Sequence, residues 1–210
     1  TTKKSRVNVA MQWVKELEGY GAAMAAAVGT IIGIDKKLIA DGLASLAVVA
    51  GRLEPVQAGQ DFTVLVDYAH TPDALQNVLL AVKNITKGKV RVVFGATGDR
   101  DAKKRPQMGK IVMQYADAVY LTDDETYTED GDAIRADVKN GIDRGVSSAT
   151  FIEIADRRAA IMQAFKDAKK GDVVVLAGIG HQDYRNMGGN KQPWDERIIA
   201  KELLDKYHKT

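Results

Sequence analysis

Short apolar runs recur from residue 62 onward, and each ends at polar or glycine-rich residues. The four clearest runs, each with the segment that follows it, are residues 62–66 before 67–72, 90–94 before 95–101, 118–121 before 122–125, and 173–176 before 177–181. Runs of this length, rich in valine and bounded by turn residues, predict buried β-strands. The longer segments between them show helical spacing of apolar residues. The pattern therefore predicts strands that alternate with helices.

This alternation predicts an α/β fold with a mostly parallel, Rossmann-like sheet covered by helices on both faces. The predicted helices are 72–86, 105–116, 131–142, 156–169 and 194–207, and a further strand is predicted at 150–154. Thr71 and Pro72 suit the cap and first turn of the first of these helices. Residues 10–49 predict helices only, and two helices alone make a poor core. We place a short hinge in the turn-rich segment 51–60 that follows.

The candidate functional side chains follow the ends of the predicted strands. Asp67 and His70 follow the first run, Arg100 follows the second, Asp124 the third and His181 the fourth. Open α/β sheets bind their ligands at the carboxyl ends of the strands. The sequence therefore predicts a binding site at one edge of one sheet.

These candidates also have structural interpretations. Asp67 and Thr71 are residue types that commonly cap a helix at a strand-to-helix turn. His70 and His181 are single histidines, which are more often structural than catalytic. The charged run at 99–105 is typical of a solvated loop.

Composition and charge narrow the possible functions. With 30 basic and 28 acidic residues the net charge is +2, and no dense basic run indicates nucleic-acid binding. The absence of cysteine excludes disulfides and thiolate metal sites. The apolar stretches are shorter than the roughly 20 residues that cross a bilayer, and no secretory signal is evident. We therefore expect a cytoplasmic protein that binds neither nucleic acid nor membrane.

Four motifs, in order, resemble the Mur ligase family, most closely the branch that adds the third amino acid to UDP-N-acetylmuramoyl-dipeptide. They are Gly51-Arg52-Leu53-Glu54, residues 66–75 around Asp67-Tyr68-Ala69-His70-Thr71-Pro72, residues 98–106 around Gly98-Asp99-Arg100-Asp101, and Gly178-Ile179-Gly180-His181. The resemblance implies that residues 1–56 are the helical tail of a central ATPase domain and that 57–210 are the carboxyl-terminal ligase domain. It also implies that the amino-terminal and central domains of a peptidoglycan-synthesis ligase are missing from this chain.

The resemblance assigns roles to four residues. Arg52 contacts the nucleotide phosphates, Asp67 accepts hydrogen bonds from the ribose, and His70 lies beside the nucleotide, so that Arg52 and His70 are the catalytic candidates. Arg100 holds the carboxylate of the incoming amino acid, a task that suits the guanidinium fork. Without the resemblance, a bridge between the two domains explains Arg52 equally well. The implied cofactors are ATP and Mg²⁺, the ion being held mainly by absent parts of the enzyme, and we assign no metal ligand in this chain.

The implied amino-acid site departs from the family in two motifs. Its assigned residues are Asp124, Glu125, Gly178 and Gln182. Where the family has Asp-Asn-Pro and then a selecting residue, often Arg for diaminopimelate, this chain has Asp124-Glu125-Thr126-Tyr127. Where the family has Gly-Lys-Gly-His-Glu, an amide at Gln182 replaces a carboxylate that pairs with an ammonium. The nearby carboxylates that would restore negative charge, and so favour lysine over diaminopimelate, are Asp123, Asp124, Glu125 and Asp183.

Two hypotheses remain open at this point. In the first, the chain is part of an ATP-dependent amide ligase that acts on UDP-muramoyl dipeptide and an amino acid through an acyl phosphate. In the second, it is a non-catalytic module derived from a Mur ligase that binds a nucleotide, an amino acid or a protein partner. The sequence contains no Gly-x-x-x-x-Gly-Lys-[Ser/Thr] loop, so we expect no ATP turnover by this chain alone. The missing loop favours the second hypothesis, and the four intact motifs favour the first.

Overall fold

The computed structural model describes residues 19–45, 49–143, 145 and 147–207. The chain divides into two compact units between Ala50 and Gly51. The first unit contains helices α1 (Gly19–Ile31) and α2 (Lys36–Ser45). Residues 10–18 and 46–48 of the predicted helical segment lie outside the described residues. The assignment of residues 1–56 to a separate domain stays a prediction.

The second unit alternates strands and helices along the chain. Its elements are β1 (Glu54–Val56), β2 (Thr63–Asp67), α3 (Pro72–Ile85), β3 (Val90–Phe94), α4 (Lys104–Tyr115), β4 (Ala118–Leu121), α5 (Gly131–Lys139), β5 (Thr150–Glu153), α6 (Arg157–Asp167), β6 (Val173–Ala177), β7 (Tyr184–Met187), β8 (Asn190–Pro193) and α7 (Glu196–Tyr207). Thr71 caps α3 through its hydroxyl, which accepts a hydrogen bond from the Ala74 amide, and Pro72 opens the helix as predicted. In the described part of the chain, each helix is too short or too polar to traverse a bilayer.

Six strands form one sheet in the order β1-β2-β6-β3-β4-β5. Strand β1 pairs antiparallel with β2, and the other neighbouring pairs are parallel. The chain advances across the sheet from β2 through β3 and β4 to β5, and then returns to place β6 between β2 and β3. Right-handed crossovers therefore put α3, α4 and α5 on one face and α6 on the other. The predicted α/β fold with helices on both faces is confirmed.

The core lies on both faces of this sheet. Val64 and Leu176 belong to a buried cluster with Phe165 of α6 and Leu204 of α7. Leu65, whose side chain points to the opposite face, is also almost fully buried at 1% exposure. Burial on both faces explains why the central strands are continuous apolar runs and do not alternate with polar residues.

Two pieces of β structure were not predicted. Strand β1 is short and contains Pro55, which is tolerated because the strand lies at the sheet edge. Strands β7 and β8 form a separate antiparallel hairpin across Gly188 and Gly189, whose φ angles are 60° and 79°. A Gly-Gly pair is a recognised hairpin signal, so this element was detectable in the sequence.

Candidate functional site

A cleft of about 250 Å³ opens at the carboxyl ends of β2, β6, β3 and β4. Its lining comes from the segments that follow these strands: Tyr68 and His70 after β2; Thr97, Arg100 and Lys104 after β3; Asp124, Glu125 and Tyr127 after β4; and Gly178, Gln182 and Tyr184 after β6. The chain reverses its direction of travel across the sheet at β6. Open α/β sheets place their ligands at such a reversal.

Two buried carboxylates, Asp124 and Glu125, line the cleft. Asp124 is 3% exposed, and its Oδ2 has no hydrogen-bond partner among the described residues. Burial raises the pKa of this carboxyl, although nearby arginines oppose the rise. Glu125 is better satisfied, because its Oε1 accepts from the Asn186 amide at 2.9 Å and its Oε2 from Gln182 Nε2 at 3.2 Å. Asp124 Oδ2 is therefore a buried carboxylate oxygen in the wall of the cleft whose hydrogen-bonding capacity the described residues do not use.

Gly178 allows this carboxylate to approach the segment after β6. Its φ of 119° is rarely adopted by residues with a side chain, and a Cβ at this position would overlap Asp124 Oδ2. Glycine thus leaves the space that the Asp124 side chain occupies in the cleft.

A buried ion pair lies between the first residues of α6 and α7. Arg157 and Glu196 are both 0% exposed at their side chains, and Arg157 Nη2 lies 2.7 Å from Glu196 Oε1. Arg157 Nη2 also donates to the carbonyl of Ala177, the last residue of β6, at 2.9 Å. Arg185 donates from Nε and Nη2 to the Asp124 carbonyl at 2.8 and 2.6 Å. These arginines hold the backbone that carries the cleft residues after β6 and β4.

The cleft also carries two cationic side chains, Arg100 and Lys104. Arg100 is exposed, and its Cζ lies 5.0 Å from the centroid of the Tyr127 ring. Lys104 is partly buried and donates from Nζ to the His70 carbonyl at 3.0 Å. Burial lowers the pKa of Lys104, whereas the charge of Asp124 favours its protonated form. The lining therefore combines two cations with two carboxylates.

The prediction of a solvated loop at 99–105 is wrong at its carboxyl end. Lys104 lines the cleft. Arg105 is 1% exposed, and its guanidinium nitrogens lie 2.8 Å from Glu129 and 2.9 Å from Asp137. Arg105 shares the buried face of α4 with the apolar residues three and seven positions later. That helical spacing was present in the sequence and identifies Arg105 as buried.

Arg52, His70 and His181 surround the Tyr68 side chain. The ring centroid of Tyr68 lies 4.5 Å from that of His70 and 5.4 Å from that of His181. Arg52 Cζ lies 5.2 Å from the same Tyr68 ring, and the Arg52 side chain is exposed. Cationic and aromatic groups thus share this part of the sheet edge.

Asp67 anchors the turn that carries Arg52. Its Oδ1 and Oδ2 accept from the backbone amides of Ala69 and Leu53, each at 2.8 Å. Burial raises the pKa of Asp67, and these two hydrogen bonds oppose the rise. Leu53 has a φ of 41°, a strained value that persists only where the surroundings hold it. The capping role considered for Asp67 is filled by Thr71 alone.

The structure brings most of the predicted site residues together. Those that line the cleft are His70, Arg100, Asp124, Glu125, Gly178 and Gln182. Arg52 and Asp67 lie outside its lining, at the same edge of the sheet. The functions assigned to all eight stay predictions.

Two of the four carboxylates expected near the amino-acid site do not line the cleft. Asp123 pairs with Arg135, and Asp183 is exposed. No role was predicted for Lys104 or for the tyrosines of the lining, Tyr68, Tyr127 and Tyr184. These residues follow strand ends, which was the only indication in the sequence that they could line a site. The sequence alone does not distinguish such a tyrosine from one on any other part of the surface.

Comparison with known proteins identifies relatives for most of the chain. The family described as "Mur ligase, glutamate ligase domain" matches residues 51–180. Two proteins named UDP-N-acetylmuramoyl-L-alanyl-D-glutamate–2,6-diaminopimelate ligase, from Gloeobacter violaceus and Caldanaerobacter subterraneus, are 46% and 42% identical to the chain. The alignments cover 88% of this chain in both cases but 38% of each relative. The chain therefore spans well under half the length of these relatives.

Solved structures of other proteins share the fold of this chain. A structure titled as a UDP-N-acetylmuramoyl-L-alanyl-D-glutamate–2,6-diaminopimelate ligase superposes with a TM-score of 0.71 at 36% identity, covering 89% of this chain and 38% of that one. A pseudomurein peptide ligase type C from Methanothermus fervidus superposes with a TM-score of 0.62 at 20% identity, covering 90% and 36%. The second likeness concerns the fold alone.

Proposed function

Because this chain belongs to the Mur ligase family, we propose that it forms the nucleotide- and amino-acid-binding part of an ATP-dependent ligase. The ligase joins lysine or diaminopimelate to UDP-N-acetylmuramoyl-L-alanyl-D-glutamate in peptidoglycan synthesis. The names of the relatives support this reaction class. Because the chain matches 38% of their length, the reaction also requires the remaining parts of such a ligase.

The arrangement of charge in the cleft is the observation that carries this proposal. Arg100 presents a guanidinium fork in the lining, and Asp124 presents a buried carboxylate oxygen without a partner. Lysine and diaminopimelate each carry an α-carboxylate and a side-chain ammonium, which are the complements of these two groups. The cleft is thus complementary to an amino acid with a second amino group.

Binding of the side-chain ammonium also determines which amine reacts. An ammonium held by Asp124 stays protonated and is not a nucleophile. The α-amine is then the group that attacks the activated carboxylate of the second substrate. Arg100 contributes by fixing the α-carboxylate next to that amine, so that orientation supplies much of the rate enhancement.

Arg52, Asp67 and His70 supply the nucleotide side of the proposed site. When bound, ATP supplies the phosphoryl group that activates the substrate carboxylate. The exposed fork of Arg52 suits phosphate oxygens, and the Asp67 carboxylate suits ribose hydroxyls. The described residues contain no cluster of three or more His, Asp or Glu side chains that could hold a metal ion. We therefore infer that Mg²⁺ is held mainly by phosphate oxygens and by other parts of the ligase.

A chimeric ligase tests the proposal. In the Gloeobacter violaceus relative, the matching 38% of the protein is replaced by this chain. We expect phosphate release that requires ATP, UDP-N-acetylmuramoyl-L-alanyl-D-glutamate and either lysine or diaminopimelate, with alanine inactive in their place. The parent relative, assayed in parallel, is the positive control. A folded chimera that releases phosphate equally with and without these amino acids would contradict the proposal.

A further inference from the structure

Three side chains tie the segment after β3 to the segment after β4 beside the cleft. The carboxylate oxygens of Asp99 accept from Thr128 Oγ1 at 3.0 and 2.9 Å, and one of them also accepts from the Thr128 amide at 3.1 Å. Glu129 Oε1 accepts from the Asp99 amide at 2.5 Å and from Arg105 Nη2 at 2.8 Å. We call Asp99, Thr128 and Glu129 the clasp.

The clasp joins the immediate neighbours of two cleft residues. Arg100 follows Asp99 in the chain, and Tyr127 precedes Thr128. The contacts between Asp99 and Thr128 therefore bring together the backbone segments that carry Arg100 and Tyr127. The guanidinium carbon of Arg100 lies 5.0 Å from the Tyr127 ring centroid. This distance permits a cation–π interaction, which limits the directions in which the guanidinium can point.

Backbone strain is concentrated at the same place. Among the described residues, the non-glycine positions with positive φ are Leu53 at 41°, Asp99 at 51° and Tyr127 at 49°. A left-handed conformation is unfavourable for such a residue and persists only where the surroundings enforce it. The β7–β8 hairpin also holds the backbone conformation of Tyr127. The Tyr127 amide donates to the Asn186 carbonyl at 3.1 Å, and the Tyr127 carbonyl accepts from the Gly189 amide at 2.6 Å. Strain of this kind is typical of ligand clamps.

Global stability does not account for the contacts between Asp99 and Thr128, whereas Glu129 also pairs with the buried Arg105. Asp99 and Thr128 are exposed, and hydrogen bonds between exposed groups contribute little to the free energy of unfolding. Their contacts hold together two strained segments whose adjacent side chains line the cleft. We propose that Asp99, Thr128 and Glu129 are positioning residues that keep the Arg100 guanidinium over Tyr127, pre-organised for a carboxylate ligand. The identity of that ligand rests on the proposed function, whereas the positioning of Arg100 does not.

Ring-current shifts measure this positioning directly in the whole chain. Because the Arg100 guanidinium carbon lies 5.0 Å from the Tyr127 ring centroid, we expect the protons of the adjacent δ-methylene group to be shifted upfield. Tyr127→Leu supplies the unshifted reference. In the double variant Asp99→Ala with Thr128→Val, we expect the Arg100 shift to move most of the way to that reference. Asp99→Asn keeps an acceptor oxygen and tolerates positive φ, so it should largely preserve the shift. Thr150→Val, at an exposed threonine of β5, is the matched control and should change nothing.

Amino-acid affinity provides the second measurement. If the parent chain binds lysine or diaminopimelate, the double variant should bind it about tenfold more weakly although Arg100 is intact, and Asp99→Asn should restore most of the affinity. An unchanged Arg100 chemical shift in a folded double variant would overturn the proposal that the clasp positions Arg100. Unchanged amino-acid affinity in that variant would overturn it as well. Failure of the parent chain to bind any amino acid would instead count against the proposed function, and the ring-current result alone would then decide the clasp.

Discussion

Glu196→Gln is expected to lower the free energy of unfolding by about 3–5 kcal/mol. The substitution keeps the shape of the side chain but removes the charge that pairs with Arg157, where both side chains are 0% exposed. Arg157 then remains charged in the interior, because its guanidinium does not lose its proton in proteins. The Trp194 indole also loses a charged acceptor, since Nε1 donates to Glu196 Oε2 at 2.5 Å. Urea unfolding measures the change as a lower midpoint with an unchanged slope.

The chain contains a matched control for this prediction. Arg158 and Glu202 form a second Arg–Glu pair between the same two helices, at 2.6 Å, but their side chains are 39% and 50% exposed. Glu202→Gln is expected to cost less than about 1 kcal/mol, because water solvates the charge that is left behind. Equal losses of unfolding free energy in the two variants would show that burial does not determine how much the Arg157–Glu196 pair contributes to stability.

Asp124→Asn is expected to weaken the binding of lysine or diaminopimelate by about 10–100-fold, the value of a hydrogen bond to a charged group. The buried Oδ2 of Asp124 has no partner among the described residues, and an amide in its place cannot neutralise an ammonium. Burial raises the pKa of Asp124, so the carboxylate form, and with it the affinity, should be lost as the pH falls through that raised pKa. Titration calorimetry at several pH values measures both effects.

Asp123→Asn is the matched control for this substitution. Asp123 is the adjacent residue and also an aspartate, but it pairs with Arg135 and does not line the cleft. We expect its substitution to leave the amino-acid affinity and its pH dependence unchanged. The assignment of Asp124 would fail if both variants lost affinity equally, or if Asp124→Asn retained the parent pH dependence.

Much of the fold followed from local sequence features. The central strands were predictable because valine-rich runs buried on both faces are continuously apolar, and α3 because Thr71 and Pro72 encode its start. Strand β1 was not predictable, because three residues that include Pro55 form a strand only by pairing with β2. Its formation depends on a tertiary partner that local propensity does not reveal.

The location of the candidate site was predictable, but the orientation of individual side chains was not. Asp123 and Asp124 are adjacent aspartates after β4, and only tertiary contacts direct one to Arg135 and the other into the cleft. Lys104 looked like part of a solvated charged run, yet it lies over the His70 carbonyl. Which side chain faces a ligand depends on how loops from different strands pack, and that information is spread along the whole chain.

Arg100 is the residue through which we propose that this cleft binds the incoming amino acid. The most direct measurement is calorimetric titration of the chain with lysine, diaminopimelate and ATP, with Arg100→Ala tested alongside and the exposed neighbour Lys103→Ala as the matched control. We expect one of the two amino acids to bind, with affinity reduced about 10–100-fold in Arg100→Ala, unchanged in Lys103→Ala, and no effect of either substitution on ATP. Amino-acid binding that is equally strong in Arg100→Ala, or a loss of affinity shared equally with ATP, would show that Arg100 does not hold the amino acid.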